Sequence, residues 1–271
     1  MTKQSDILNN LSYKPVLDHG FVGLIDTMPK YEPFADVYEG GLGCGDRAIV
    51  QAARVSYGAG TKKVSEDRGL IRYLMRHLHT TPFEMVEFKF HCKMPILVAR
   101  QWIRHRTANV NEYSGRYSEM TDEFYIPSSE NIKPQSKDNK QGRAGEFHEI
   151  DIQAILNEMT HVPNVAYNSY QAMLKIGVAK ELARSVLPVS NYTEWYWKID
   201  LHNLFHFMKL RLDSHAQYEI RVFAEAMLEL IRPLAPVAIE AFEDYILNGV
   251  HLSKQEYDIV VELLENAHIE Q

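Results

Sequence analysis

The sequence is poor in cysteine. Cys44 and Cys92 are the two thiols in 271 residues. That excludes a disulfide framework and points to a reducing, cytoplasmic setting. Neither thiol stands in a zinc-binding spacing. No apolar run reaches the length of a membrane span. Residues 1–10 are polar and lack the apolar core of a secretory leader. An excess of positive charge is lacking too: 36 acids outnumber 29 lysines and arginines, for a formal net charge of −7. That argues against a dedicated nucleic-acid binder, which needs a basic face. No internal repeat and no clean interdomain linker is visible.

What is present is a core and one dense arginine cluster. The length of 271 residues allows one large domain or two small ones, and the apolar fraction of 45% is enough for a sizeable core. Residues 1–18 read as a polar lead-in, 21–28 as a first strand and 29–45 as a Gly- and Pro-rich loop holding Cys44. Helical spacing runs through 46–55. Ser65 then caps a helix over 66–78, and Pro82 turns Thr81 away from helical geometry. Val86, Phe88, Phe90 and Cys92 alternate with Glu87, Lys89, His91 and Lys93, which predicts a strand with Cys92 on its apolar face. Pro95 suits the first turn of the next helix. Thr107 to Ser118 reads as a loop after that helix.

Residues 127–146 are polar and long for an internal loop, and are expected to be mobile. A helical pattern covers 147–176, with Pro163 expected to break or kink it and Gly177 to close it. A short helix over 179–187 follows. Residues 192–200 alternate as a strand, and Asp200 can cap a helix over 201–212. Further helices are expected over 216–231 and 237–247, and Ser253-Lys254-Gln255-Glu256 is a capping box that opens a last one within 251–271. The expected fold is α+β (or α/β): one domain over 19–250, with helices around a small mixed sheet.

Between residues 100 and 117 stand Arg100, Arg104, Arg106 and Arg116, no lysine, and Glu112 as the single acid. Arginine without lysine favours two-pronged recognition of phosphate or carboxylate; a solvated helix end is the plainer reading. His202 and His206, four apart on one helix face, with Asp213 and His215 beyond, could hold a metal or could simply pack. Arg211 lies well round the same helix from the two histidines. A pocket using both faces is easier to build between copies of the chain than within one. Arg184 ends a short helix, as a dipole partner or as a phosphate contact. Ser114 has no third group to complete a nucleophilic relay and is read as an anion ligand, with Gly115 permitting close backbone approach.

Arg104-His105-Arg106, seven residues, then Ser114 resembles the signature of the flavin-dependent thymidylate synthases. The resemblance extends to His79-Thr80-Thr81-Pro82-Phe83-Glu84, to Gln101 and to residues 210–217, and covers about residues 19 to 245 in order. It implies a homotetramer with active sites between subunits. It implies that dUMP is reductively methylated to dTMP, with methylenetetrahydrofolate and NADPH as co-substrates and FAD as cofactor. It places Gln101, Trp102, Ile103, Arg104, Glu112, Tyr113, Ser114, Gly115, Arg116, Arg184 and Arg211 on dUMP, with Arg211 as the catalytic, uracil-activating residue. It places Thr81, Arg104, His105, Arg106, Glu112, Asp200, His202 and His206 on FAD and His79 at folate, with no metal. Cys44 in a loop and Cys92 in an apolar strand face are poor nucleophiles, so the uracil would be activated electrostatically. Two other readings remain: a metal-dependent phosphohydrolase built on His202, His206, Asp213 and His215, and an RNA-binding module over residues 100–117.

Overall fold

A computed structural model describes residues 12–30, 41–55, 67–138, 140 and 142–269. The expected Ser65 cap and residues 31–40 of the expected Gly-rich loop lie outside the described residues.

Five strands make one sheet: β1 (Tyr13–Val16), β2 (Gly20–Met28), β3 (Glu87–Pro95), β4 (Asn109–Glu112) and β5 (Tyr192–Asp200). Their order is β1-β2-β3-β5-β4. Every pairing is antiparallel, which corrects the mixed sheet expected and makes the fold α+β. Two strands were missed because they are four residues long. β1 lies in the stretch expected as a lead-in, and β4 in the stretch expected as a loop. β3 and β5 pair without a slip from Glu87↔Asp200 to Pro95↔Tyr192. The alternation of β3 fades toward its end. His91 and Lys93 are buried there, His91 against Glu194 (2.6 Å) and Lys93 against Glu123 (2.8 Å).

The helices are α1 (Cys44–Arg54), α2 (Asp67–Arg76), α3 (Thr81–Glu84), α4 (Ile96–Trp102), α5 (Glu149–Lys175), α6 (Lys180–Ala183), α7 (Leu201–Arg211), α8 (Tyr218–Ile231), α9 (Pro236–Phe242) and α10 (Lys254–Ile269). Cys44 opens α1 and is buried, rather than lying in a loop. Thr81 opens α3 with Pro82 beside it, because proline is tolerated where the amides are orphans anyway. Pro95 ends β3 and stands just before α4 instead of inside its first turn. Pro163 does not break α5, which runs on through it for 27 residues.

Other boundaries follow the expected chemistry. The Asp200 carboxylate accepts from the Asn203 amide (2.9 Å) and starts α7. Gly177, at φ +90°, closes α5; its amide reaches the Leu174 carbonyl (3.0 Å) and the Val178 amide reaches Met173 (3.0 Å). Ser253 and Glu256 make the reciprocal capping pair (2.8 and 3.2 Å). No described helix is long and apolar enough to cross a membrane.

Trp102 organises the core under the sheet. Its ring meets Trp195 and Trp197 edge-on (5.3 and 5.2 Å) and stacks on Phe207 (5.2 Å). That ties the end of α4 to β5 and α7. A smaller cluster of Met120, Tyr170 and Ala183 packs α5 and α6 against the 113–120 turn. The 127–146 stretch is pinned by Arg143, which donates to the Asn131 carbonyl (2.9 Å) and to both oxygens of buried Glu219 (2.9 and 2.8 Å).

Asp46 is buried between α1 and α9. It accepts from the Gly43 (3.0 Å), Val237 (3.1 Å) and Ala238 (2.9 Å) amides. Asp46→Asn leaves one acceptor oxygen for three donors. It should lower unfolding free energy by about 1.5–3 kcal/mol, read as an earlier urea midpoint with unchanged slope. An unchanged midpoint would contradict this brace.

Candidate active site

The arginine run emerges where α4 ends. Beyond Trp102 the chain turns, with the His105 amide on the Trp102 carbonyl (3.0 Å). Arg104, His105, Arg106 and Thr107 then line a cavity of about 560 Å³ with His206, Leu210 and Arg211 from the end of α7. Arg211 donates from Nε to His105 Nε2 (3.1 Å). The His105 ring lies edge-on to Phe207 (4.9 Å) and faces the His206 ring (6.1 Å). Arg104, Leu210 and Arg211 also border a second hollow, formed with Arg100, Gln101, Lys209 and residues 213–217.

Burial, then the Arg211 charge, then His206, push the His105 imidazole down to about 4. It is therefore neutral near pH 7, and Nε2 must be its acceptor nitrogen, since Arg211 can only donate. Burial also draws the Arg211 guanidinium down from its ordinary value. Arg104, Arg106 and Arg211 form no ion pair among the described residues. Three cations thus face one cavity, and none of them is ion-paired among the described residues. That arrangement suits an anionic ligand or a transition state that gathers negative charge.

His206 joins this cavity to an apolar cleft. Leu74, Leu78, Phe83, Phe205, Phe242 and Ile246 wall the cleft, and His79, Thr80, His202, His206 and Lys209 supply its polar groups. His79 and His202, expected at folate and flavin, therefore meet here. Thr81 follows Thr80 as an exposed residue. Asp200 spends both oxygens on Asn203, through its amide (2.9 Å) and its side chain (2.7 Å).

Ser114, Gly115, Arg116 and Arg184 form a separate group. The Ser114 carbonyl accepts from the Tyr117 and Ser118 amides (both 3.1 Å), making a tight turn. Gly115 lets the turn pack closely: a Cβ would lie 2.8 Å from Met120 Sδ and 3.1 Å from Arg184 Cδ, so those two side chains would have to shift. Arg116 pairs with Glu181 (3.1 Å), and the Tyr113 hydroxyl donates to the Glu119 carbonyl (2.7 Å). Glu112 accepts from Thr193 (2.7 Å) and borders a different hollow, with Tyr113, His91 and Glu194.

Two expectations need correction. The Trp102 side chain is wholly buried in the aromatic core, so its ring cannot touch a substrate; Ile103 beside it is exposed. His206 and Arg211 were expected on separate helix faces, yet they share a cavity. Arg211 is the last residue of α7, and its long side chain leans back to His105. Among the described residues no three His, Cys, Asp or Glu side chains gather in a metal-holding group. Asp213 and His215 bond to each other (2.9 Å). Arg100, Lys209 and Gln217 line the second hollow without having been expected there. Gln217 did close the 210–217 segment, and that was its one signal.

The His105 value gives a pH test. Its folded value lies below the ordinary 6.5. The stability contributed by the neutral ring is thus present above pH 6.5 and is lost as pH falls toward 4. In a proton NMR titration the His105 ring should stay neutral to about pH 4. Arg211→Met should raise its midpoint by removing the neighbouring cation. A wild-type midpoint near 6.5 would contradict the burial and the Arg211 contact.

Comparison with known proteins identifies relatives over most of the chain. Residues 44–237 match the family described as Thymidylate synthase complementing protein. The flavin-dependent thymidylate synthase of Dictyostelium discoideum is 56% identical over 245 residues, covering 90% of this chain and 78% of that one. That of Ruegeria pomeroyi is 52% identical over 261 residues, covering 95% and 82%. Among solved structures, the UMP/dUMP methylase PolB of Streptomyces cacaoi bound with 5-Br dUMP superposes with a TM-score of 0.73. It is 33% identical and covers 88% of this chain and 100% of that one. With this identity across most of its length, the chain belongs to the flavin-dependent thymidylate synthase family.

Proposed function

We propose that the protein reductively methylates dUMP to dTMP. Methylenetetrahydrofolate gives the carbon, FAD is the cofactor, NADPH is the reductant, and no cysteine acts as nucleophile. The observation that carries the reading is the Arg211 guanidinium held by a neutral imidazole. A pyrimidine becomes nucleophilic at carbon 5 when negative charge builds on its N3 and carbonyl edge. A fixed, uncompensated guanidinium stabilises that charge. A carboxylate in place of His105 would hold Arg211 as firmly but quench its field.

The thiols support the same reading. Cys92 is fully buried and burial pushes it well above its ordinary value, away from the thiolate. Cys44 is buried at the start of α1 with Sγ facing the Leu234 carbonyl (4.0 Å).

The chemistry of the cleft fits a flavin dinucleotide. Apolar walls at Leu78, Phe83 and Phe205 suit flat rings, and the histidines with Lys209, Arg104 and Arg106 suit a diphosphate. When bound, the reduced flavin supplies the hydride that completes the methyl group. Arg104 and Arg106 would hold its phosphates, with His202 and His206 beside them, and His79 would face the folate. Ser114, Gly115, Arg116 and Arg184 would bind the nucleotide phosphate through the hydroxyl, the close backbone and the guanidiniums.

Among the described residues, Ser114, Gly115, Arg116 and Arg184 line neither of the two hollows that hold Arg211. This supports a site completed by a second copy, in a homotetramer.

The purified protein should be yellow, with a flavin spectrum bleached by NADPH, and should turn dUMP and methylenetetrahydrofolate into dTMP. A colourless protein that does not bind added FAD would sink the reading. Cys44→Ala and Cys92→Ala should both keep dTMP formation; loss of turnover in a folded, flavin-loaded variant would restore a thiol mechanism.

The shared site has its own test. Arg211→Ala and Arg184→Ala chains, each nearly inactive, should recover activity when coexpressed, because a mixed assembly contains some sites lacking neither group. No recovery in confirmed mixed assemblies would place the whole site in one chain.

A further inference from the structure

Glu219 is the second residue of α8 and is almost wholly buried. Burial works to raise its carboxyl. The Gln217 hydrogen bond and the Arg143 pair outweigh that and hold it below the ordinary value. It is a carboxylate at neutral pH, so it only accepts. Oε1 takes the Tyr125 hydroxyl (3.0 Å) and Arg143 (2.9 Å). Oε2 takes Arg143 (2.8 Å) and Gln217 Nε2 (2.8 Å).

The consequence passes outward. Gln217 must turn its NH2 toward Glu219, and its carbonyl therefore faces Gln101. Gln101 then has to donate, and its Nε2 bonds to Gln217 Oε1. The Gln101 carbonyl oxygen is left without a partner among the described residues, in a side chain that lines the hollow holding Arg104 and Arg211. The two ends of an amide have nearly the same shape, so nothing in packing alone selects this orientation. The acceptor-only carboxylate two bonds away does.

We propose that Glu219, acting through Gln217, is a positioning residue that presents the Gln101 carbonyl as an acceptor for a hydrogen-bond donor on the nucleotide. This rests on the thymidylate synthase reading. The donor chemistry is met by the ring imide N3–H and by the sugar 3′-hydroxyl. Without the relay the amide divides between two orientations. One of them sets NH2 against a donor, and apparent affinity falls with the fraction correctly oriented.

The test is dUMP affinity, by calorimetry on the flavin-loaded enzyme, beside KM and kcat. Gln217→Met keeps length and bulk but not the amide. An even split between the two orientations sets the scale, so dUMP Kd and KM should rise about twofold while kcat at saturating dUMP stays unchanged. In a Gln101→Ala background the same substitution should add nothing, because it acts through Gln101. A merely structural role would add its cost in both backgrounds.

Gln135→Ala loosens the 127–146 stretch, where its side chain donates to the Lys140 and Gly142 carbonyls (2.8 and 2.9 Å), without touching Glu219, and should leave dUMP affinity unchanged. A matching rise there would assign the effect to anchoring of the 127–146 stretch and overturn the relay. N3-methyl-dUMP and 2′,3′-dideoxyuridine monophosphate separate the donors. The analogue that lacks the donor should bind wild type and Gln217→Met alike; full sensitivity with both analogues overturns the proposal. Unchanged dUMP affinity in Gln217→Met, with dTMP formation intact in wild type, overturns the relay alone. A wild type that binds dUMP but forms no dTMP overturns the synthase reading, and the calorimetric comparison still decides the relay.

Discussion

Arg211 keeps its field because its partner carries no charge. A guanidinium half withdrawn from water usually meets a carboxylate, which fixes it and cancels its field. Here a neutral imidazole accepts from Nε at 3.1 Å and fixes it without cancelling it. The rest of the molecule serves that contact. β3 and β5 pair in register, so α4 and α7 leave opposite ends of the same two strands. Nine paired residues span roughly 30 Å at about 3.3 Å each. The two helices, of 7 and 11 residues, together cover much of that at about 1.5 Å per residue. Running back over the sheet, they bring their C-terminal ends together, and there the Trp102–Phe207 stack joins them. Helix C-termini favour cations, and this is where Arg104 and Arg211 stand.

The second constraint is separation. The Ser114 turn is braced from another direction, by Tyr170 on the Met120 amide (3.0 Å) and by α6 under Arg116. Its arginines and those beside Arg211 thus rest on different scaffolds. A substrate that uses both needs those scaffolds brought together. In the account proposed here a neighbouring copy does that, which also gives an acidic chain a locally cationic site.

Much of this was legible in the residues, for identifiable reasons. Period-two alternation located β5, and the Asp200 and Ser253 caps were readable because each uses a side chain to satisfy an orphan amide. Gly177 was readable as a C-cap because its left-handed backbone favours glycine. β1 and β4 were not readable, since four residues carry too little periodicity. Pro163 misled because its surroundings, not its propensity, decide whether a helix continues. At the site, residue types and the family resemblance named Arg104, His105, His206 and Arg211. They did not tell that His105 is neutral, which comes from burial beside Arg211, nor that Trp102 is core. Nor could local sequence give the Gln101–Gln217–Glu219 chain, whose ends are 118 positions apart and meet only in the fold.

The most direct measurement of the central claim is single-turnover dTMP formation beside flavin reduction in one variant, Arg211→Ala. Loss of a preorganised charge partner costs about 3–4 kcal/mol, or roughly a hundred- to a thousandfold in rate. The account predicts a folded, FAD-loaded enzyme that NADPH still reduces and that makes almost no dTMP at saturating dUMP. Arg211→Lys should recover only part of the rate, because it restores charge without the fork. Near-normal methylation in dUMP-saturated Arg211→Ala would contradict the account and move the activating role to another cation of the cavity, Arg104 first.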